Sequence, residues 1–310
     1  MLQRSFVVAV STTHSGALNE LVLRTACALA KRANADLAVS EPATKFNPDG
    51  GLLPTSGIDN QVDEIAREFS GNVQFWRLPF LAQAHSGERN SAKNDAEIAA
   101  TVLACADRNG VSKVVVSAHS VADPLGGLTG QLVTHSDIPV VVVPANSVEL
   151  CEDPVHLVVA IDETPNVGLI PTRISEIYVW FDIRLSLLHV LYQVGKRIIG
   201  VSVLAHDRAA HQMKRCASRL DGFGVDDTRT HTFVHTGSTP EVIVDQITRE
   251  HATLGILPVT CSLGHHRRPN GVSNDVLIDR PVPILLFCTA GAIERDHHLS
   301  QLPAIEAVGR

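Results

Sequence analysis

The sequence lacks closely spaced cysteines, a basic excess, a long apolar run and any intact catalytic signature. Its six cysteines, Cys27, Cys105, Cys151, Cys216, Cys261 and Cys288, are scattered, with no CxxC pair. A zinc site and a disulfide framework are therefore not expected. The thiols read as small buried hydrophobes, and a reducing cytoplasm fits them best. There are 26 Lys and Arg against 33 Asp and Glu, a formal net charge of -7. General nucleic-acid binders are usually basic, so that class is set aside.

No apolar run reaches the length that spans a bilayer, so membrane insertion is not expected. The opening MLQRSFVVAV turns polar too soon for a secretory h-region. There is no G-x-S-x-G elbow, no P-loop lysine and no G-x-G-x-x-G after the first apolar segment. The 15 histidines invite a metal reading that their spacing does not support. His206 and His211 lie off one helical face, and His297 and His298 lie in a polar tail. His231 and His235 share at most one face of a strand, with no carboxylate close in sequence. No reaction is named, and the reading leans away from an enzyme.

What is present is a repeated pattern. With 310 residues, 45% of them hydrophobic, the chain can bury about two cores. Residues 126–144 read GGLTGQLVTHSDIPVVVVP. Leu128, Leu132 and Val133 recur at helical spacing, and Pro139 stops the helix by biasing Ile138 away from helical dihedrals. Val140, Val141, Val142 and Val143 follow without polar alternation, as in a strand buried on both faces of a parallel sheet. Residues 270–287, NGVSNDVLIDRPVPILLF, repeat the arrangement, with the same spacing from residue 270 to Pro283 as from residue 126 to Pro139.

The segments before each copy also match in order. The first half predicts strands at 5–10, 36–40, 72–78, 113–117 and 140–143. Its helices fall at about 18–32, 61–69 and from Asp95 to Asn109, besides the one before Pro139. The second half predicts strands at 156–161, 184–191, 228–234, 254–259 and 284–288. Helices there fall at about 171–179, 207–220 and from Ser238 or Thr239, with Pro240 at the first helical position. Alternating strands and helices imply parallel sheets with right-handed crossovers. The expected fold is α/β: two tandem flavodoxin/Rossmann-like domains, each a five-stranded parallel sheet flanked by helices. Residues 1–146 form the first domain and 154–290 the second, with a tail at 291–310.

This order resembles the universal stress protein family in its tandem two-domain form. The resemblance rests on VVAIDET (158–164), LSLLHVL (185–191), GSTPEVIVDQI (237–247) and the two closing segments with Pro139 and Pro283. It implies a cytoplasmic protein of the stress response, acting through a ligand or a partner, with ATP or another adenine nucleotide as the candidate ligand. It also implies pairing through the last strands, here 140–143 and 284–287. Pairing within the chain gives a pseudo-dimer, and pairing between chains gives a homodimer or larger.

Members of the family that bind ATP carry a first-strand aspartate and a loop G-x2-G-x9-G-[S/T] after the fourth strand. Glycines there let backbone N–H groups approach phosphate at a helix N-terminus. Both halves depart from the pattern. In the first, Ser11 stands at the aspartate position and the loop reads Ser117-Ala118-His119-Ser120, reaching Gly126 and Gly127 early. In the second, Asp162 matches the aspartate and Val190 lies near the end of the second strand. The loop there reads CSLGHHRRPNG, so the candidates are Gly264, His265, His266, Arg267, Arg268, Asn270 and Gly271. The two His and two Arg can offer charge-assisted bonds to phosphate. The competing reading is a solvated surface loop in a copy that has lost its ligand.

Overall fold

Unbroken valine and leucine runs become the interior strands of one sheet. The computed structural model describes residues 6–10, 16–33, 35–40, 64, 67, 75–78, 91–150, 155–161, 174, 183–192, 200–223, 225, 227–259, 271–279 and 282–288. The first-half strands are β1 Phe6–Val10, β2 Asp36–Ser40, β3 Phe75–Leu78, β4 Val111–Ser117 and β5 Val140–Val143. The second-half strands are β6 Val155–Ile161, β7 Ile183–Tyr192, β8 Thr230–Gly237, β9 Leu254–Val259 and β10 Ile284–Cys288. Helices among the described residues are α1 Gly16–Arg32, α2 Ser91–Arg108, α3 Gly127–His135, α4 Gly200–Asp221, α5 Thr239–Arg249 and α6 Gly271–Asp279.

The ten strands run in the order β3-β2-β1-β4-β5-β10-β9-β6-β7-β8. Within each half every pairing is parallel. The halves meet where β5 and β10 pair antiparallel, with Ile284 opposite Val142, Leu285 opposite Val141 and Leu286 opposite Val140. The expected pairing of the last strands is thus made within the chain, and each half repeats the same strand order about that seam.

Alternation along the strands divides the core between two faces. Val7, Leu37, Leu157 and Leu185 pack beneath α1 and α4, with Leu29 and Met213 among the helix residues. Val8, Val114, Val158 and Leu188 lie on the other face, against α2, α3, α5 and α6, with Val102, Leu132, Ile243 and Val276. Each such aliphatic side chain, fully buried, contributes about 1.5–3 kcal/mol.

Some expected boundaries move. Helix α2 begins at Ser91 rather than Asp95, because its first turn is polar and adds nothing to the apolar period. Helix α4 begins at Gly200 rather than Asp207. Val203 and Leu204 in its first turns are 60% and 73% exposed, so they break the rule that apolar positions mark the buried stripe. A short 3-10 turn, Asp227–Arg229, precedes β8, which begins at Thr230 rather than residue 228. Ser238 does take the N-cap position of α5, but without a side-chain cap bond, and Pro240 is the second helical residue. Glu64, Arg67 and Ile174 are helical; the rest of the helices expected at 61–69 and 171–179 lies outside the described residues.

Candidate functional site

In a parallel sheet of this kind the ligand face lies at the carboxyl ends of the strands, where connections diverge. Among the helices that begin at that end, α3 after β4 and α6 after β9 hold equivalent places in the two halves. Residues on both sides of the first start are described, and at the second only those from Gly271 onward.

In the first half Ser117 is the buried last residue of β4, and its carbonyl accepts a hydrogen bond from Thr129 Oγ1 of α3 at 2.8 Å. The loop then folds on itself. The His119 N–H donates to the Pro124 carbonyl at 2.9 Å and the Gly126 N–H to the Asp123 carbonyl at 3.1 Å. Ser120 is exposed, and its Oγ accepts from the Asp123 N–H at 2.9 Å. Gly126 is the N-cap of α3, extended and without a side-chain cap. Gly127 has φ +52, in the region that favours glycine.

These two glycines are covered by the protein's own side chains. A Cβ at Gly126 would lie 2.5 Å from Asp123 Oδ2 and 2.7 Å from His119 Cδ2. A Cβ at Gly127 would lie 2.6 Å from His119 Nδ1 and 3.4 Å from Asp95 Oδ2 of α2. The His119 ring therefore lies across both glycines, with a carboxylate on either side. Burial raises the Asp95 carboxyl above its ordinary value, and His119 opposes that rise. Carboxylates suit the positive end of a helix, so α3 already has anions where a phosphate would approach.

The loop is also held from the second half. The Leu125 N–H donates to Asn274 Oδ1 of α6 at 3.2 Å, while the Leu125 carbonyl faces Gly130 of α3. Leu125 is thus gripped by one helix of each half, beside the seam. Asp95, Asp123, Gly130 and Asn274 were not among the sequence candidates. Only Asp123, three residues ahead of the Gly126 cap, carried a local signal.

At the corresponding place the second half is described only from Gly271 onward. Gly271 begins α6 and is exposed, and no described residue lies within 4 Å of an added Cβ. Val190, half-buried near the end of β7, faces the same side of the sheet as α5 and α6 and pairs in register with His235 of β8. Beside it His189, on the opposite face, is buried, and its Nδ1 contacts the Ile161 carbonyl at 2.8 Å. Thus Val190 and Gly271 share a face of the sheet. Ser11, Asp162, Gly264, His265, His266, Arg267, Arg268 and Asn270 lie outside the described residues. No group of three or more His, Cys, Asp or Glu among the described residues could hold a metal. No helix there is long and apolar enough to cross a membrane.

Comparison with known proteins gives the fold and leaves the sequence isolated. No protein-family model matches the chain, and no curated protein matches it. A solved universal stress protein described as putative, from Pseudomonas aeruginosa UCBPP-PA14, is similar over 93% of this chain and 94% of its own, at 12% identity and a TM-score of 0.58. A protein of unknown function from Pseudomonas aeruginosa PAO1 has the same identity and TM-score over 93% of both chains. A universal stress protein from Archaeoglobus fulgidus matches 91% of this chain and 96% of its own, at 15% identity and a TM-score of 0.56. The chain has the universal stress protein fold in its two-domain form.

Proposed function

We propose that the chain is a non-catalytic protein of the stress response whose signalling depends on a ligand or partner, with one half kept for the ligand. The first half, 1–146, acts as a supporting copy. The second, 154–290, holds the ligand site, and the proposed ligand is an adenine nucleotide such as ATP. The observation that carries this is the contrast between the two helix N-termini. His119, Asp123 and Asp95 cover Gly126 and Gly127, while no described residue lies within 4 Å of an added Cβ at Gly271. An incoming phosphate would meet two carboxylates at the start of α3, whereas no described carboxylate covers Gly271 at the start of α6.

In this reading the base lies over Val190 and the phosphates lie toward Gly271. Asp162 bonds the ribose or base, and His265, His266, Arg267 and Arg268 take the place of the missing glycine-rich donors. The assignment is cytoplasmic, and the tail at 291–310 is given no role. Calorimetric titration of nucleotide-stripped protein with ATP, ADP and AMP, with magnesium present, tests it. One site per chain, lost on Asp162→Ala and kept on Ser11→Ala, is the expected result. No heat and no thermal shift at millimolar nucleotide would overturn the nucleotide assignment and leave the partner-dependent reading standing.

A further inference from the structure

One ring nitrogen near the carboxyl end of the second-half strands is left without a partner by the fold. His235 of β8 is half-buried, and its Nε2 is buried with no hydrogen-bond partner among the described residues. Strand β8 is the last in the strand order, beside β7. Side chains alternate along it, so Phe233 and His235 stand on the face that carries α5 and α6, while Val234 turns to the other. The Phe233 and His235 rings are stacked, with centroids 6.0 Å apart and planes 15° from parallel.

An imidazole nitrogen is costly to bury alone. It bonds as donor or acceptor according to tautomer, and a buried polar atom left unpaired loses its bond to water without replacement. The apolar side chains on this part of the face, Leu188, Val190, Phe233 and Val242, have no hydrogen bond to offer it. Thr25, Ser40 and Thr253 also bury an oxygen with no partner among the described residues, but none of them lies on β7 or β8.

Register sets what lies beside that nitrogen. His235 is paired with Val190 of β7, and Phe233 with Leu188. Paired residues of neighbouring parallel strands share a face, on strands about 4.8 Å apart. A flat base over Val190 therefore brings its outer edge alongside the His235 ring. Phe233, two residues back along β8, steadies that ring from the side of the core. Past His235 the chain turns at Gly237 into α5. A Cβ on Gly237 would lie 3.0 Å from Val242 Cγ2, so the start of α5 brings an apolar side chain against the end of the strand.

We propose that His235 reads the base of the bound nucleotide, its Nε2 bonding the outer edge of an adenine seated over Val190. The proposal rests on the nucleotide reading above and adds the side chain that selects the base. On that edge adenine presents its 6-amino group as a donor and N1 and N7 as acceptors, and an imidazole meets either kind through its tautomer. The ligand supplies the partner that the fold withholds. A site built this way discriminates against ligands that lack the matching group.

Calorimetric titration of the nucleotide-stripped full chain with ATP and three analogues tests this. Purine riboside triphosphate lacks the amino group, and the 1-deaza and 7-deaza forms of ATP lack N1 and N7. His235→Phe keeps an aromatic ring beside Phe233 and removes both nitrogens. It should weaken ATP binding about tenfold, the worth of one hydrogen bond. For the analogue that lacks the bonded group, the same substitution should cost about twofold or less. Equal ATP affinity in parent and variant, or one common loss for ATP and all three analogues, would overturn the proposal and leave nucleotide binding in place. A parent protein that binds none of the four overturns the nucleotide reading itself, and this proposal with it. Should His235→Phe prove too bulky to fold, His235→Leu is titrated in its place and read in the same way.

Discussion

Replacing Gly130 by alanine should destabilise the protein, although the same exchange inside an ordinary helix stabilises by about 1 kcal/mol. A Cβ at Gly130 would press into the Leu125 carbonyl oxygen, with the carbonyl carbon at 3.1 Å. Both are backbone atoms, so relief comes only from moving the loop or the helix. Overpacking of this kind costs about 1–3 kcal/mol. Shifting Leu125 also weakens its 3.2 Å bond to Asn274, worth about 1 kcal/mol. Set against the gain in helix propensity, the net loss is about 1–3 kcal/mol. Urea unfolding followed by circular dichroism reads this as a lowered midpoint. Asn274→Ala should lose about 1 kcal/mol alone. The double variant should lose less than the two singles together, because both act through Leu125. A midpoint equal to or above that of the parent protein would refute the close approach of α3 to the loop.

Two further outcomes follow from the core. Val141→Asp places a carboxylate at a fully buried seam position opposite Leu285 and should cost about 4 kcal/mol or more; a parent-like urea midpoint would show that β5 and β10 do not pair. Burial pushes the Cys27 thiol up to about 12 and the Cys216 thiol to about 11, so neither should react with a thiolate-selective reagent at about pH 8 until the chain is unfolded. Rapid labelling of either in the native protein would contradict their placement.

Much of the fold was legible because its signals are local. Val140 to Val143 carry no polar alternation, so they announce a doubly buried strand, and the matched spacing to Pro283 announces its counterpart. Helix starts were harder to read. The first turn of α2 is polar, and the first turns of α4 expose Val203 and Leu204, so neither gives an apolar stripe to follow. The site was the least legible part. Ser117, Ser120, Gly126 and Gly127 were found from the loop pattern. That His119 covers the glycines depends on how a six-residue detour folds, and no spacing rule states it. The Leu125–Asn274 bond joins residues 149 apart, and only the antiparallel seam brings them together. Asparagine on a helix otherwise reads as a surface residue.

The seam also sets an order of events on the ribosome. Strand β5 is complete early in synthesis, but the partner for its outer edge, Ile284, Leu285 and Leu286, is made only after most of the second half. At roughly 5–20 residues per second the wait lasts about 7 to 30 seconds. Through that interval a nascent first half presents Val140, Val141 and Val142 as an unpaired, uncharged edge, the kind that recruits strands from other chains. A product truncated before β10 keeps that edge permanently. Such fragments should self-associate, whereas the finished chain, with its own tenth strand in place, has closed that edge.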